Sequence, residues 1–433
     1  MMIEFDTSFY DILNNRLDVS FYQSRFNFTS KLFPSFQLSE LLWVNPTVKY
    51  ENLSNNDVIS FVPMEVVDEQ NGKISEQRTT TIAKTKGFTK FKENDLIWAK
   101  ITPCMQNGKS AIARNLINGY GCGSTEFYVL RPRTDNVMIE YIHFILRDKR
   151  VLESAKNSFG GSAGQQRVSS GYLKSIQIPL PPIEIQQQIV NLYYYAVAEK
   201  QNKEQEANAL LSGIDDYLLK ELGIELPENV GNERYFEVSI EELIGEQFDV
   251  KSTRFKLYKR KSTKYEEILL SEIATINKGK SITKDKITNG NYPVIAGGQT
   301  SPYSHSEYNE EENAITISAS GAYSGYVWYH DYKIFASDCT VVRSKNETQY
   351  MTEYMYYILK LKQDEIYKMQ KGAGQPHVYP NDIATITIPI VSIEKQNEIA
   401  EHIQSIRATA RRLQEEAKEG VEKAKNEIEK MII

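Results

Sequence analysis

The sequence predicts an α+β protein built as an internal repeat: two related α/β globular parts, each followed by a long helix, the two helices pairing as an antiparallel coiled coil. Three observations predict it. A 27-residue stretch occurs twice at a constant offset, each copy passes from a strand-like run through proline into a helical pattern, and both helical patterns carry a heptad seam.

The repeated stretch is Ala163–Ile189, AGQQRVSSGYLKSIQIPLPPIEIQQQI, which returns at Ala373–Ile399 as AGQPHVYPNDIATITIPIVSIEKQNEI. Eleven of the 27 positions are identical: Ala163, Gly164, Gln165, Val168, Ile176, Ile178, Pro179, Ile183, Glu184, Gln186 and Ile189. Chance would give roughly two, so the chain is a duplication. Each copy reads as a Gly-Gln loop, then a strand through Ile176 and Ile178 (Ile386 and Ile388) ending at proline, then a helix opened by an acid and glutamines. The match reaches further upstream. Phe5, Ser8, Asp18 and Val19 correspond to Phe236, Ser239, Asp249 and Val250, Leu38-Ser39-Glu40 to Leu270-Ser271-Glu272, Arg131 to Arg343, and Glu140-Tyr141 to Glu353-Tyr354. The second globular part is shorter by about 21 residues. The expected boundaries are 1–182 for the first globular part, 183–222 for the first helix and 223–231 (GIELPENVG) for a linker, then 232–390 and 391–433 for the second part and helix.

Within the globular parts, Phe127–Leu130, Ala314–Ile317 and Thr340–Val342 read as strands, and Glu140–Leu152 and Thr352–Met369 each as one helix. Tyr354, Tyr357, Ile358 and Leu361 form the latter's core stripe. In the second long helix Ile399, Ile403, Ile406, Ala410, Leu413, Ala417, Gly420 and Ala424 alternate steps of four and three, a heptad seam. The first helix runs Ile189, Tyr193, Ala196, Lys200, Lys203, Ala207, Leu210, Ile214 and Tyr217, with two lysines interrupting it. Each segment is about 60 Å long as straight helix.

Composition bounds the function. The 433 residues are 41% hydrophobic and 25% charged, with no apolar run long enough to span a membrane and no signal-like start, so a cytoplasmic protein is expected. The three cysteines, Cys104, Cys122 and Cys339, are too scattered for a disulfide framework or zinc site. The net charge is −6, and residues 183–231 alone carry 3 Lys+Arg against 9 Asp+Glu. Basic clusters lie in the globular parts: Lys251–Lys264 holds seven Lys/Arg and no acid, and Lys84–Arg114 seven against Glu93 and Asp95. They suit either phosphate contacts or a solvated face.

No active site is legible. Asn45-Pro46-Thr47-Val48 lacks the second proline and the aromatic of an amino-methylating turn, and Gly119–Gly123 lacks the strand-to-helix context of a cofactor loop. No GxxxxGK[ST] occurs. His143, His305, His330, His377 and His402 stand apart from one another, without metal spacing.

The Gly-Gln loop, the alternating strand, Ile-Pro-Leu-Pro-Pro-Ile-Glu-x-Gln and the long helix, repeated after a second globular part, resemble the specificity subunit of type I restriction-modification systems. Gly297-Gly298, Ile315–Ser318 before Gly321, and Asp338-Cys339 look like that family's second target-recognition domain. The second copy departs from the pattern with Ile390-Val391-Ser392 in place of Leu180-Pro181-Pro182.

The resemblance implies a non-catalytic reader of double-stranded DNA. Its two domains would each read half of a bipartite, asymmetric site, with the helices holding them apart. Two methyltransferase subunits and restriction-translocase subunits would dock on it. S-adenosylmethionine, ATP and Mg would belong to those partners, so no cofactor or metal is expected on this chain. Alternatives are the recognition subunit of a type IIB-like enzyme, a coiled-coil scaffold that binds protein, or an enzyme in its own right.

Chemistry selects the DNA-facing candidates. Lys84, Lys86, Lys90, Lys92, Lys109, Lys278, Lys280, Lys284 and Lys286 suit phosphates. Gln165, Gln166, Arg167, Gln375 and His377 occupy the Gly-rich loops, which either contact DNA or only end a helix. Gln299, Thr300, Ser301, Tyr323 and Ser324 lie in the unshared, polar part. The helix-seam candidates are Ile189, Tyr193, Ala196, Leu210, Ile214, Ile399, Ile403, Ile406, Ala410, Leu413 and Ala417.

Overall fold

The most apolar short runs become the central strands. A computed structural model describes residues 30–159, 166–225, 261–372 and 374–433. Its contacts divide the chain into two units, one ending at Glu204 and including Gln414–Ile433, the other spanning Gln205–Leu413. Both cuts fall inside the long helices, so each unit holds one globular part and a portion of both helices. The repeat partners Phe5, Ser8, Asp18 and Val19, with Phe236, Ser239, Asp249 and Val250, lie outside the described residues. So do most of Lys251–Lys264 and all of the 223–231 linker beyond Glu225.

The first unit begins with β1 (Ser35–Gln37), α1 (Leu38–Leu41), β2 (Leu42–Val44), β3 (Val58–Val62), β4 (Val67–Asp68) and β5 (Lys73–Ile74). It continues with β6 (Arg78–Thr81), β7 (Thr89–Lys92), β8 (Leu96–Ala99), β9 (Ser110–Ile112), β10 (Tyr120–Gly123) and β11 (Phe127–Pro132). Then come α2 (Ile139–Leu146), α3 (Lys149–Asn157), α4 (Ser170–Ser175), β12 (Gln177–Pro179) and the long α5 (Ile183–Leu222). Two four-stranded sheets form, β2-β11-β8-β9 and β6-β3-β10-β7, the latter with β3 and β10 parallel. All four residues of β8 are buried, which suits an apolar strand covered on both faces.

The second unit opens with β13 (Ile224–Glu225) and β14 (Lys261–Ser262), then β15 (Glu267–Leu269), α6 (Leu270–Ile273), β16 (Ala274–Lys278), β17 (Tyr292–Ile295) and β18 (Ser304–His305). β19 (Ala314–Ser318), β20 (Val327–His330), β21 (Phe335–Ala336) and β22 (Cys339–Ser344) complete its sheets. α7 (Thr352–Leu361), α8 (Gln363–Lys368), α9 (Pro380–Ile383), β23 (Thr387–Pro389) and the long α10 (Ile393–Ile432) follow. The order β16-β22-β19-β20 repeats β2-β11-β8-β9, and β18-β17-β21 repeats β6-β3-β10 with its parallel pair. Among the described residues β7 has no counterpart here, which accounts for part of the shorter second copy.

The identities between the copies are mostly framework. β1 pairs with β12 and β15 with β23, and Leu38 N and Leu270 N donate to Ile176 O (2.9 Å) and Ile386 O (2.8 Å). The Tyr141 and Tyr354 hydroxyls donate to Pro179 O (2.7 Å) and Pro389 O (2.9 Å). Gln186 and Gln396, in the first turn of each long helix, are fully buried and hydrogen-bonded on both amide atoms. Arg131 forks onto buried Asp95 (2.6 and 2.7 Å), and Arg343 onto Glu310 (3.2 Å) and nearby carbonyls.

In the first unit Ile189 and Val190 of α5 share a core with Ile428 and Ile432 of α10, and Lys203 pairs with Glu416 at 2.6 Å. In the second, Ile214, Leu218 and Leu222 meet Ile399 and Ile403, and Ala207 meets Ala410 and Leu413. Within each unit, rising numbers on one helix meet falling numbers on the other, so the paired segments run antiparallel. Ile189, Ala196, Ile214, Ile399, Ile403, Ala410, Leu413 and Ala417 are buried, while Tyr193, Leu210 and Ile406 are half-buried. The expected tyrosine stripe of α7 is core: Tyr354, Tyr357, Ile358 and Leu361 are buried.

Two expectations need correction. Glu140–Leu152 and Thr352–Met369 are not single helices; each breaks into two, α2/α3 and α7/α8. At the first break the Asp148 carboxylate caps Arg150 N at 2.8 Å, and Arg147 forks onto the Gly108, Glu69 and Gln70 carbonyls. At the second, the Lys362 ammonium is buried against Thr387 O (2.9 Å) and Glu267 (3.7 Å). Nor does the Gly-Gln loop lead directly into a strand, because a short helix intervenes and Ile176 caps it. The Ser169 hydroxyl accepts from Tyr172 N (3.1 Å), and Pro380 stands at the first turn of α9. Both are local helix-start signals.

Two outcomes are expected. Ile403→Asp places a charge in an apolar, fully buried seam and should cost at least about 3 kcal/mol. Thermal unfolding should show that loss. His143 is buried with Ser110 Oγ at 3.1 Å from its ring, and burial pushes its pKa down to about 3. Between that value and the ordinary 6.5 the unfolded chain binds more protons, so this contribution is complete above pH 6.5 and is lost as pH falls. Acidification from pH 7 to 5 should remove about 2 kcal/mol in wild type and less in His143→Gln, measured by urea unfolding at both pH values.

Candidate nucleic-acid interface

The sequence between β8 and β9 has nothing in common with that between β19 and β20, yet both loops are held in the same way. In the first unit Thr102 N donates to Gln166 O (3.0 Å), Val168 N to Lys100 O (2.9 Å) and Lys100 N to Glu126 O (2.9 Å). In the second, Gly321 N donates to Pro376 O (3.0 Å), Val378 N to Ala319 O (3.1 Å) and Ala319 N to Asp338 O (3.1 Å). Bridges Ile101–Arg167 and Ser320–His377 complete the match. The end of the repeated Gly-Gln segment is thus a backbone dock for a loop that differs between the units.

The side chains on this dock differ in kind. In the first unit the Arg167 guanidinium forks onto Glu126 (2.9 and 2.8 Å) and holds that carboxyl below its ordinary pKa. In the second, His377 stands in place of the arginine and stacks on Tyr379 with centroids 6.1 Å apart, while the Ser320 hydroxyl donates to Asp338. Tyr379 is 49% exposed.

Further segments converge on the second dock. A Cβ on Gly297 would lie 2.5 Å from Ser320 O, so only glycine allows this approach. The Ser318 hydroxyl lies 3.2 Å from Gly298 O. Gln299 and Thr300, next along that loop, are exposed, as are Tyr323 and Gln375. Ser301 turns inward, its hydroxyl on Val294 O (2.9 Å) and Tyr303 O (3.1 Å). Ser324 is buried. Lys278 and Lys280 adjoin the dock through Gly279 N on Cys339 O (2.8 Å) and Lys280 N on Ala336 O (2.9 Å). Lys284 lies 5.6 Å over the Tyr303 ring, and Lys286 is exposed.

In the first unit the lysines are elsewhere. Lys84 and Lys86 are exposed after β6. Lys90 and Lys92 project from β7 on the side opposite core-facing Phe91, Lys90 at 5.1 Å over Tyr50. Lys109 does not belong with them, because its ammonium is held by Met64 O (3.2 Å) and Glu69 (3.4 Å). Gln166 is half-buried with its carbonyl used in the dock, and Gln165 lies outside the described residues.

Sequence reasoning misses exposed Gln106 and Asn107 at the tip of the β8–β9 loop, and Tyr303 and Tyr379. Interleaving of tyrosine with lysine from 278 to 333 is the signal that could have found Tyr303. The second-unit face offers amide, hydroxyl and imidazole groups between lysines, a set suited to base edges and phosphates. Among the described residues no group of three or more His, Cys, Asp or Glu is arranged to hold a metal ion, and no helix is long and apolar enough to cross a membrane.

The two units share a duplicated α+β frame with the same backbone dock, and each sets a different polar face upon it. The chain belongs to the type I restriction modification DNA specificity family, whose domain model matches residues 31–210 and again 263–423. It is 34% identical over 157 residues to the EcoEI specificity subunit of Escherichia coli, a match covering 36% of this chain and 26% of that one. The EcoAI specificity subunit of the same organism matches at 34% over 157 residues, covering 35% and 26%. The chain therefore aligns with about a quarter of the length of these curated relatives. Its fold is similar to a chain solved in a study of complex assembly and conformational transition of the type I R-M system, with TM-score 0.59, 16% identity and coverage of 94% and 98%. It is also similar in fold to the type I S subunit from M. genitalium, with TM-score 0.52, 14% identity and the same coverage.

The dock makes one expectation measurable. Gly297→Ala forces a Cβ into the Ser320 carbonyl and should weaken the dock by about 1–3 kcal/mol. Amide exchange at Ala319, Gly321 and Val378 should then quicken at least about tenfold, while Lys100, Thr102 and Val168 in the first unit stay unchanged.

Proposed function

We propose that this chain is the sequence-specific DNA-recognition subunit of a type I restriction-modification complex, without catalytic activity of its own. One observation carries the reading: the two units repeat their framework, helix start and loop dock, but set different exposed side chains upon them. A repeated frame under divergent faces suits two different half-sites, hence a bipartite, asymmetric target in double-stranded DNA. The long helices then hold the two recognition domains apart and carry two methyltransferase subunits, with restriction-translocase subunits joining that core. S-adenosylmethionine, ATP and Mg belong to the partners in this reading, and the complex works in the cytoplasm. Lysine-flanked amides and hydroxyls support DNA as the ligand, since lysines neutralise phosphates while the polar groups between them read base edges.

The purified chain should neither methylate nor cleave DNA. With a methyltransferase subunit it should direct adenine methylation to a bipartite site, mapped genome-wide in cells expressing both. Replacing residues 1–182 by those of a relative should change one half-site only. Methylation by the isolated chain, or a swap that alters both half-sites, would overturn the reading. In duplex binding by the assembled complex, Lys284→Ala with Lys286→Ala should flatten the salt dependence, lowering the log–log slope by about 0.9 for each phosphate no longer neutralised.

A further inference from the structure

Each long helix begins under a glutamine that is fully buried. Gln186 Oε1 accepts from Met138 N (2.9 Å), while its Nε2 donates to Asn136 O (2.9 Å) and Pro181 O (2.8 Å). Gln396 does the same with Met351 N (2.8 Å), Gln349 O (2.9 Å) and Val391 O (3.1 Å). One amide thus joins three pieces: the first turn of the helix, the segment leading into it, and the globular segment just before α2 or α7. The apolar contacts around it are non-directional and tolerate small rotations. Three buried hydrogen bonds do not, because a rotated helix would leave a donor and two acceptors unpaired away from water. The bonds to Pro181 O and Val391 O only tie each helix to the segment leading into it. The long-range bonds to Met138 and Asn136, and to Met351 and Gln349, fix how each globular part is mounted.

We infer that Gln186 and Gln396 are positioning residues for DNA recognition: they fix the orientation of each recognition domain on the helix that leaves it, and so restrict the complex to one gap length between half-sites. The inference rests on the DNA-recognition reading. It assigns gap selectivity to two buried side chains in addition to helix length.

The test maps methylated sites in cells expressing a methyltransferase subunit with wild type, Gln396→Met or Gln186→Met. Methionine fills similar volume and removes all three bonds. Expected are unchanged half-site sequences and an at least tenfold rise in methylation at sites whose gap differs by one base pair. A variant that keeps a single gap, at full or uniformly reduced activity, shows a merely structural role and overturns the inference. Should the methionine variants fail to accumulate, Tyr354→Phe removes only the neighbouring bond to Pro389 O (2.9 Å) and leaves the ring in the core. It should relax the gap in the same direction, and an unchanged gap there overturns the inference as well. If wild type itself directs no bipartite methylation, the underlying reading fails before any variant is compared.

Discussion

The core of each unit is completed by segments of both long helices. The first buries Ile428 and Ile432 from near the C-terminus beside Ile189, Val190, Leu130 and Tyr141. The second buries Leu218 and Leu222 with Ile399 and Ile403. A helix carrying an apolar stripe has to cover it, and here each long helix covers part of its stripe in one unit and part in the other. Neither globular part can therefore finish its core from its own contiguous residues. The helix segments are structural members of the units as well as the connection between them.

The residues shared by the two copies are for the most part turned inward. Ile176, Ile178, Gln186, Ile189 and Tyr141 are buried with their counterparts or hydrogen-bonded within the frame. Where the repeat does reach the candidate interface, it contributes backbone: Gln166 and Pro376 are used through their carbonyls, and Val168 and Val378 through their amides. The described part of the segment docks a neighbouring loop, and the side chains beside the dock differ, Arg167 on Glu126 in one unit and His377 beside Tyr379 in the other.

Several site candidates chosen by residue type are separated by burial and pairing. Lys109 and Lys90 are alike in composition and different in setting, one held on Met64 O and Glu69, the other half-buried over the Tyr50 ring. Ser324 and Tyr323 are adjacent in sequence, yet one is buried and the other 48% exposed. The close approach of Gly297 to Ser320 also shows why candidates scattered along the second unit converge. Backbone-to-backbone packing at a glycine sets the segments before Gln299 and Tyr323 against each other, and Gly321 N ties the latter to Pro376 beside Gln375.

What the sequence determined by itself was whatever depends on pattern along the chain: the duplication, the strands ending at Pro179 and Pro389, the heptad seams and the start of both long helices. These follow from local periodicity and turn chemistry, which one stretch of residues carries alone. The breaks at Arg147-Asp148 and Lys362, the equivalence of the β8–β9 and β19–β20 loops, and the roles of Gln186 and Gln396 were decided only by tertiary structure. Each depends on hydrogen-bond partners tens of residues away, such as Met138 for Gln186 and Thr387 for Lys362. A buried polar group declares its function through the partner that satisfies it, and that partner is chosen by the fold.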